Sequence, residues 1–180
     1  VKHTDPGKFQ EKLRHLRELM DKADIISLQE VHGSQEDMAE TFKHCPGWLA
    51  FCSPCSSPGA GGVAVLVHRR LLQHAHGLLH RVLLPGRALQ LLLHLPAASL
   101  NLLCIHVEPA ATRAQQCDTL RRSLATSNPS IHTTVLMADL NMCMPGDTRT
   151  HVNNKQEEEH DDALGHWFAQ SLPSFVIAEH

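Results

Sequence analysis

Short apolar, β-branched runs alternate along this chain with stretches whose apolar residues recur at helical spacing, the pattern of an α/β protein. Phe9, Leu13, Leu16, Leu19 and Met20 recur between charged residues and predict an amphipathic helix from about Phe9 to Lys22. Ala23 to Glu30 follows as a short apolar run that finishes on an acid, and Ser34-Gln35-Glu36-Asp37 reads as a capping box. It opens a helix with Met38, Ala39 and Phe42 on one side. Trp48 to Phe51 then predicts a short strand, Ser53 to Ala60 a loop rich in proline, serine and glycine, and Gly61 to Val67 a strand with two leading glycines.

Leu78 to Leu84, Ala88 to Leu95 and Leu100 to Val107 supply three more strands, with Pro85-Gly86 and Pro96-Ala97-Ala98-Ser99 as the turns between them. Turns this short require antiparallel neighbours, because a parallel return needs a crossover of about a dozen residues or more. A helix from about Ala110 to Thr126 is long enough for such a return and leads to Ile131 to Met137, so the sheet is expected to be mixed. The β-branched, apolar composition of Ile131 to Met137 predicts a strand buried on both faces. A helix from His160 to Leu172 and a strand at Phe175-Val176-Ile177-Ala178 close the pattern.

A chain of 180 residues, 42% of them hydrophobic, has enough apolar material for one core, so one domain over residues 1–180 is expected. The formal charge of −3 with histidine neutral excludes a global basic field, so any binding of nucleic acid must use a local patch. Fifteen histidines would move that charge upward in mild acid, since imidazole titrates near pH 6.5. No run approaches the roughly 18 apolar residues of a membrane helix, and no secretory signal opens the chain. The expectation is a soluble intracellular protein of nucleus or cytoplasm, with no membrane partner. Its first residue is Val1 rather than methionine, which points to a fragment.

The candidate chemistry sits where strands end. Ile131 to Met137 runs into Ala138-Asp139-Leu140-Asn141, a carboxylate and a carboxamide that would share one face of extended chain. In parallel α/β folds ligands gather at the carboxyl ends of strands, so both side chains would point at a site. The alternative is that Asp139 caps the next segment and Asn141 makes a turn. Glu30 ends another apolar strand, and two such carboxylates suit a hard metal, because Mg²⁺ takes one or two carboxylate oxygens, keeps water and leaves room for a phosphate. Cys52-Ser53-Pro54-Cys55, with His44 and Cys45 nearby, raises a zinc alternative, although no second close-spaced pair accompanies it and free thiols in a reducing compartment are expected. Asn153 to Asp162 is an acidic run expected to form a solvated loop and helix start, and it would repel DNA.

Leu28-Gln29-Glu30, Gly61 to Val67, Asn101-Leu102-Leu103-Cys104-Ile105-His106 and Ala138-Asp139-Leu140-Asn141 follow one another in an order and spacing that resembles the endonuclease/exonuclease/phosphatase superfamily. That family includes apurinic endonucleases, deoxyribonuclease I and the endonuclease domains of non-LTR retrotransposons. The resemblance implies a layered α/β sandwich of the deoxyribonuclease I type, with mixed sheets flanked by helices. It also implies a Mg²⁺-dependent phosphodiester hydrolase, with Mn²⁺ as a substitute, whose substrate is nucleic acid, DNA before RNA. Glu30 would hold the metal. His106 would assist cleavage as histidine does in the deoxyribonuclease branch, Asp139 would orient or deprotonate the attacking water, and Asn141 would hold the phosphate or that aspartate. Glu108 stands near where relatives hold an asparagine or aspartate.

The chain departs from the family at three places. Val1 to Gly7 holds no asparagine-bearing strand, the chain stops at Glu179-His180 without a Ser-Asp-His motif, and Ala138 replaces the usual glycine before the aspartate. The domain is therefore expected to be incomplete at both ends, and the alternative to an endonuclease of retrotransposon or DNA-repair type is a catalytically inactive remnant of the fold. Arg69, Arg70, Arg113, Arg121, Arg122 and Arg149 are the phosphate-contact candidates, and none is singled out by its position.

Overall fold

The computed structural model describes residues 6–57, 59–128, 130–141, 149–150, 157–158 and 162–171. It divides into two compact units, Val1–Leu140 and Asn141–His180. The first carries α1 (Pro6–Met20), β1 (Ile25–Gln29), α2 (Gln35–Phe42), β2 (Trp48–Ser53), β3 (Val63–His68), α3 (Arg69–Leu72), β4 (Gly77–Leu84), β5 (Ala88–His94), β6 (Ser99–His106), α4 (Arg113–Leu124) and β7 (Thr133–Asp139). The second carries β8 (Arg149–Thr150), β9 (Glu157–Glu158) and α5 (Asp162–Ser171). Phe175 to Ala178 and His180 lie outside the described residues.

β3 shows how the sequence builds the core. Its Val63-Ala64-Val65-Leu66-Val67 run is wholly buried because the strand is central in a three-stranded antiparallel sheet ordered β1-β3-β2 and is covered on both faces. Ala64 and Leu66 face outward to Leu16 of α1, Met38 and Phe42 of α2, and Trp48. Val63, Val65 and Val67, on the other face by the strand's period of two, meet Leu89 and Leu91 of β5 and Leu102 and Cys104 of β6. Those strands belong to a second sheet ordered β4-β5-β6-β7, so the two sheets share one apolar layer. α4 covers the other side of the second sheet, with Leu120 fully buried. Two sheets flanked by helices are the layered sandwich that the sequence predicts.

The turn argument also holds. β4, β5 and β6 pair antiparallel in sequence order, and α4 carries the chain back so that β7 pairs parallel to β6. Two expectations need correction. β7 begins at Thr133, because Ile131 lies in a turn with its N–H and that of His132 both donated to the Asn128 carbonyl. Nor is β7 buried on both faces: it is the outer strand of its sheet among the described residues, with Val135 39% exposed. In the second unit, Glu157–Glu158 pairs with Arg149–Thr150, so part of the acidic run expected to be loop is strand. The rest of that run before α5 lies outside the described residues.

The capping box forms as read. Ser34 Oγ accepts from Asp37 N at 3.2 Å and Asp37 Oδ2 accepts from Ser34 N at 2.8 Å, which satisfies two of the orphan donors of α2. Ser34→Ala is expected to lower stability by about 1 kcal/mol, read as a shift of the urea midpoint at unchanged slope.

Candidate active site

Three strands bring their carboxyl ends to one edge of the first unit. In β6, Leu102, Cys104 and His106 alternate toward the first sheet, and their register partners in β7 are Val135, Met137 and Asp139. Parallel register partners share a face, so Asp139 stands beside His106 on the side that faces β1. From β1, Ser27 Oγ donates to Cys104 Sγ at 2.9 Å, and Gln29 Nε2 donates to the Met137 carbonyl at 3.2 Å. Gln29 thus ties the end of β1 to the end of β7, one residue before Glu30 and two before Asp139.

Glu30 reaches this group by leaving the strand. Had the alternation continued, it would share the face of Ile26 and Leu28, which pack into the core beneath the helices. Instead it adopts φ 54, the left-handed region that a residue with a Cβ seldom enters, and its carboxylate comes within 3.6 Å of His106 Nε2. Such backbone strain costs on the order of 1–3 kcal/mol and concentrates at functional sites. The turn is held by its neighbours: Val31 N donates to the Gly62 carbonyl at 3.0 Å, and Gly62 N donates to the Gly86 carbonyl at 3.0 Å.

His106 is buried, with 1% of its surface exposed. Its backbone N–H donates to the Arg87 carbonyl at 2.8 Å, Arg87 Nη1 lies 2.8 Å from its Nδ1, and Arg87 Nη2 donates to Glu108 Oε2 at 2.8 Å. Burial, then the Arg87 charge, hold the imidazole below its ordinary pKa, against the opposing pull of Asp139, Glu30 and Glu108. Among the described residues its buried Nε2 has no hydrogen-bond partner, since 3.6 Å to Glu30 is too long for one.

Among the described residues, the charges acting on His106 are the carboxylates of Glu30, Asp139 and Glu108 and the guanidinium of Arg87. A bare phosphate is repelled by that balance and a cation is attracted. Among the described residues no three His, Cys, Asp or Glu side chains close around one point. Glu30 is open to solvent, with its side chain 58% exposed, so the donor set suits an ion that takes one or two carboxylates and fills its shell with water, as Mg²⁺ does. An open cavity of about 670 Å³ adjoins Arg87 and Glu108 along Ala111, Gln115 and Asp118, leaving room beside the site.

Of the sequence candidates, Glu30, His106 and Asp139 come together. Asn141 does not share a face of extended chain with Asp139: the strand ends at Asp139, and Asn141, in the second unit, takes φ 47. Glu108 pairs with Arg87. Arg87 itself escapes the sequence reading, although an arginine set between the Pro85-Gly86 turn and the apolar start of β5 is the signal that marks it. Cys52 is a free thiol that burial pushes up to about 11, and the zinc alternative finds no donor set among the described residues.

The model of the Endonuclease/Exonuclease/phosphatase family matches residues 2–175. None of the curated proteins matches the chain in sequence. Among solved structures, an AP endonuclease from Leishmania major superposes with a TM-score of 0.67 at 15% identity, over 92% of this chain and 62% of its own. A humanized D. rerio TDP2 gives 0.56 at 16% identity, over 79% of this chain and 60% of its own. The endonuclease domain of TRAS1, a telomere-specific non-LTR retrotransposon, gives 0.55 at 17% identity, over 88% and 61%. The chain thus spans about three fifths of the length of these structures, and what they share with it is the fold.

Proposed function

The chain belongs to the endonuclease/exonuclease/phosphatase family, and on that premise we propose that it is a Mg²⁺-dependent phosphodiester hydrolase domain acting on nucleic acid inside the cell. The observation that carries this is the convergence of Glu30, Asp139 and a buried His106 at one edge of the first unit, where the carboxylates favour a cation over a bare phosphate. An AP endonuclease and a retrotransposon endonuclease domain among the structural neighbours support nucleic acid as the substrate class. No helix among the described residues is long and apolar enough to cross a membrane.

In this reading Glu30 would hold the metal, and a bound Mg²⁺ would supply neutralisation of the charge on a phosphate oxygen and on the leaving group. Asp139 accepts or orients the proton of the attacking water, a step that needs an ionised carboxylate close to, but not replaced by, the metal ligand. The Nε2–H of His106 finds its missing acceptor in the loaded site, either a phosphate oxygen or the Glu30 carboxylate.

Calorimetric titration of the chain with Mg²⁺ and Mn²⁺, together with nicking of supercoiled plasmid, tests the proposal. Binding and nicking are expected with either ion, and EDTA is expected to abolish nicking while leaving the fold intact. Metal binding without nicking would assign the chain to the inactive-remnant reading. Neither binding nor nicking would end the case for phosphate chemistry in this segment.

A further inference from the structure

We propose that Arg87 is a positioning residue that fixes the tautomer of His106, keeping the ring proton on Nε2 and turned toward Glu30. A guanidinium carries five N–H donors, has no acceptor and stays protonated in proteins. At 2.8 Å from Arg87 Nη1, His106 Nδ1 must therefore present its lone pair. With Nδ1 unprotonated, the one ring N–H is on Nε2. The other tautomer reverses both interactions: it sets Nδ1–H against a guanidinium N–H and turns the Nε2 lone pair toward the carboxylate of Glu30 at 3.6 Å.

The arginine is built in rather than draped over the site. Its second amino group donates to Glu108 Oε2 at 2.8 Å, and its backbone carbonyl accepts from His106 N at 2.8 Å, so ring and guanidinium are fixed to one another from two sides. Its side chain is 16% exposed. Gly61 makes the space, since a Cβ there would lie 2.8 Å from Nη1 and 3.0 Å from Cζ of Arg87. The catalytic consequence rests on the function proposed above: an Nε2–H aimed at the Glu30 side can donate to an oxygen bound there, and a lone pair in its place would repel it. The tautomer itself does not depend on that reading.

The test is the ring-nitrogen spectrum of the metal-free, ¹⁵N-labelled chain, in which long-range ¹H–¹⁵N correlations separate the two tautomers. His106→Gln identifies the His106 signals among those of the 15 histidines. Wild type is expected to show a pyridine-type Nδ1 and a pyrrole-type Nε2. Arg87→Lys, which keeps a cationic donor, should preserve that pattern, and Arg87→Met should shift both nitrogens toward the tautomer average. A protonated Nδ1 in the wild type overturns the proposal, as does an unchanged spectrum in Arg87→Met. Should Arg87→Met fail to fold, Glu108→Gln, which loosens the anchor and keeps the arginine, is expected to move the same signals in the same direction, and no movement there overturns it. In nicking assays Arg87→Met should lower kcat about 10–100-fold with KM little changed, and should cost nothing further in a His106→Gln background. A loss that persists in that background shows Arg87 acting independently of the ring and overturns its positioning role. A chain that nicks no DNA defeats the function above, and the spectrum still decides the tautomer.

Discussion

Glu30→Ala is expected to lower the rate of metal-dependent nicking by on the order of 10²–10³-fold or more, the usual cost of removing a group that stabilises transition-state charge, without a matching loss of stability. The two effects separate because of where Glu30 stands. Its carboxylate is more than half exposed and sits in a cluster of like charge, so the fold gains little from it. Its backbone is held at φ 54, a conformation that costs a non-glycine residue on the order of 1–3 kcal/mol. Glu30→Gly relieves that strain and is expected to raise the urea midpoint while abolishing nicking as fully as Ala does. Nicking rates and urea melts on both variants decide the matter. A Glu30→Ala chain that nicks at the wild-type rate would remove Glu30 from the reaction, and a Glu30→Gly chain less stable than wild type would remove the strain argument.

That separation also shows what the sequence could and could not reveal. Val63 to Val67 and Leu100 to His106 declare themselves as strands by composition, and the short turns at Pro85-Gly86 and Pro96 to Ser99 force the antiparallel order that the structure has. Glu30 and Asp139 are legible as candidates because each stands where an apolar run ends, and His106 through the resemblance of its motif to the family. What brings them together is not local. Glu30 would face the wrong side of its strand but for a left-handed turn, and a glutamate there gives no sign of one, as a glycine or asparagine would. β7 reads as a central strand because its residues are β-branched, yet its exposure follows from its place in the order β4-β5-β6-β7, which sequence pattern does not contain. Arg87 lies 19 positions before His106 and meets it only because β5 and β6 pair antiparallel, with Ala88 opposite Ile105. The pairing of Arg149–Thr150 with Glu157–Glu158 is too short to show a period of two at all.

Gly62→Ala is expected to cost the fold on the order of 2–6 kcal/mol, the sum of one to three for a left-handed backbone carrying a side chain and one to three for overpacking. A Cβ on Gly62, whose φ is 95, would lie 2.2 Å from the Val31 carbonyl oxygen and 3.0 Å from Met38 Cε. Neither neighbour can yield cheaply. The Val31 oxygen is backbone, on a residue whose own N–H is bonded to the Gly62 carbonyl, and Met38 is buried against α1 and the first sheet. Since a domain of this size is stable by only about 5–15 kcal/mol, a loss at the upper end leaves a substantial unfolded population. The strain also has a direction: relief by moving Val31 drags Glu30 with it, so whatever Gly62→Ala protein remains folded should bind Mn²⁺ more weakly. Gly59→Ala, where nothing lies within 4 Å of the added methyl, is the matched control and should leave the urea midpoint close to wild type. If Gly62→Ala melts like that control, the close approach of Gly62 to Val31 does not hold the turn, and the account of how Glu30 is brought to face His106 fails with it.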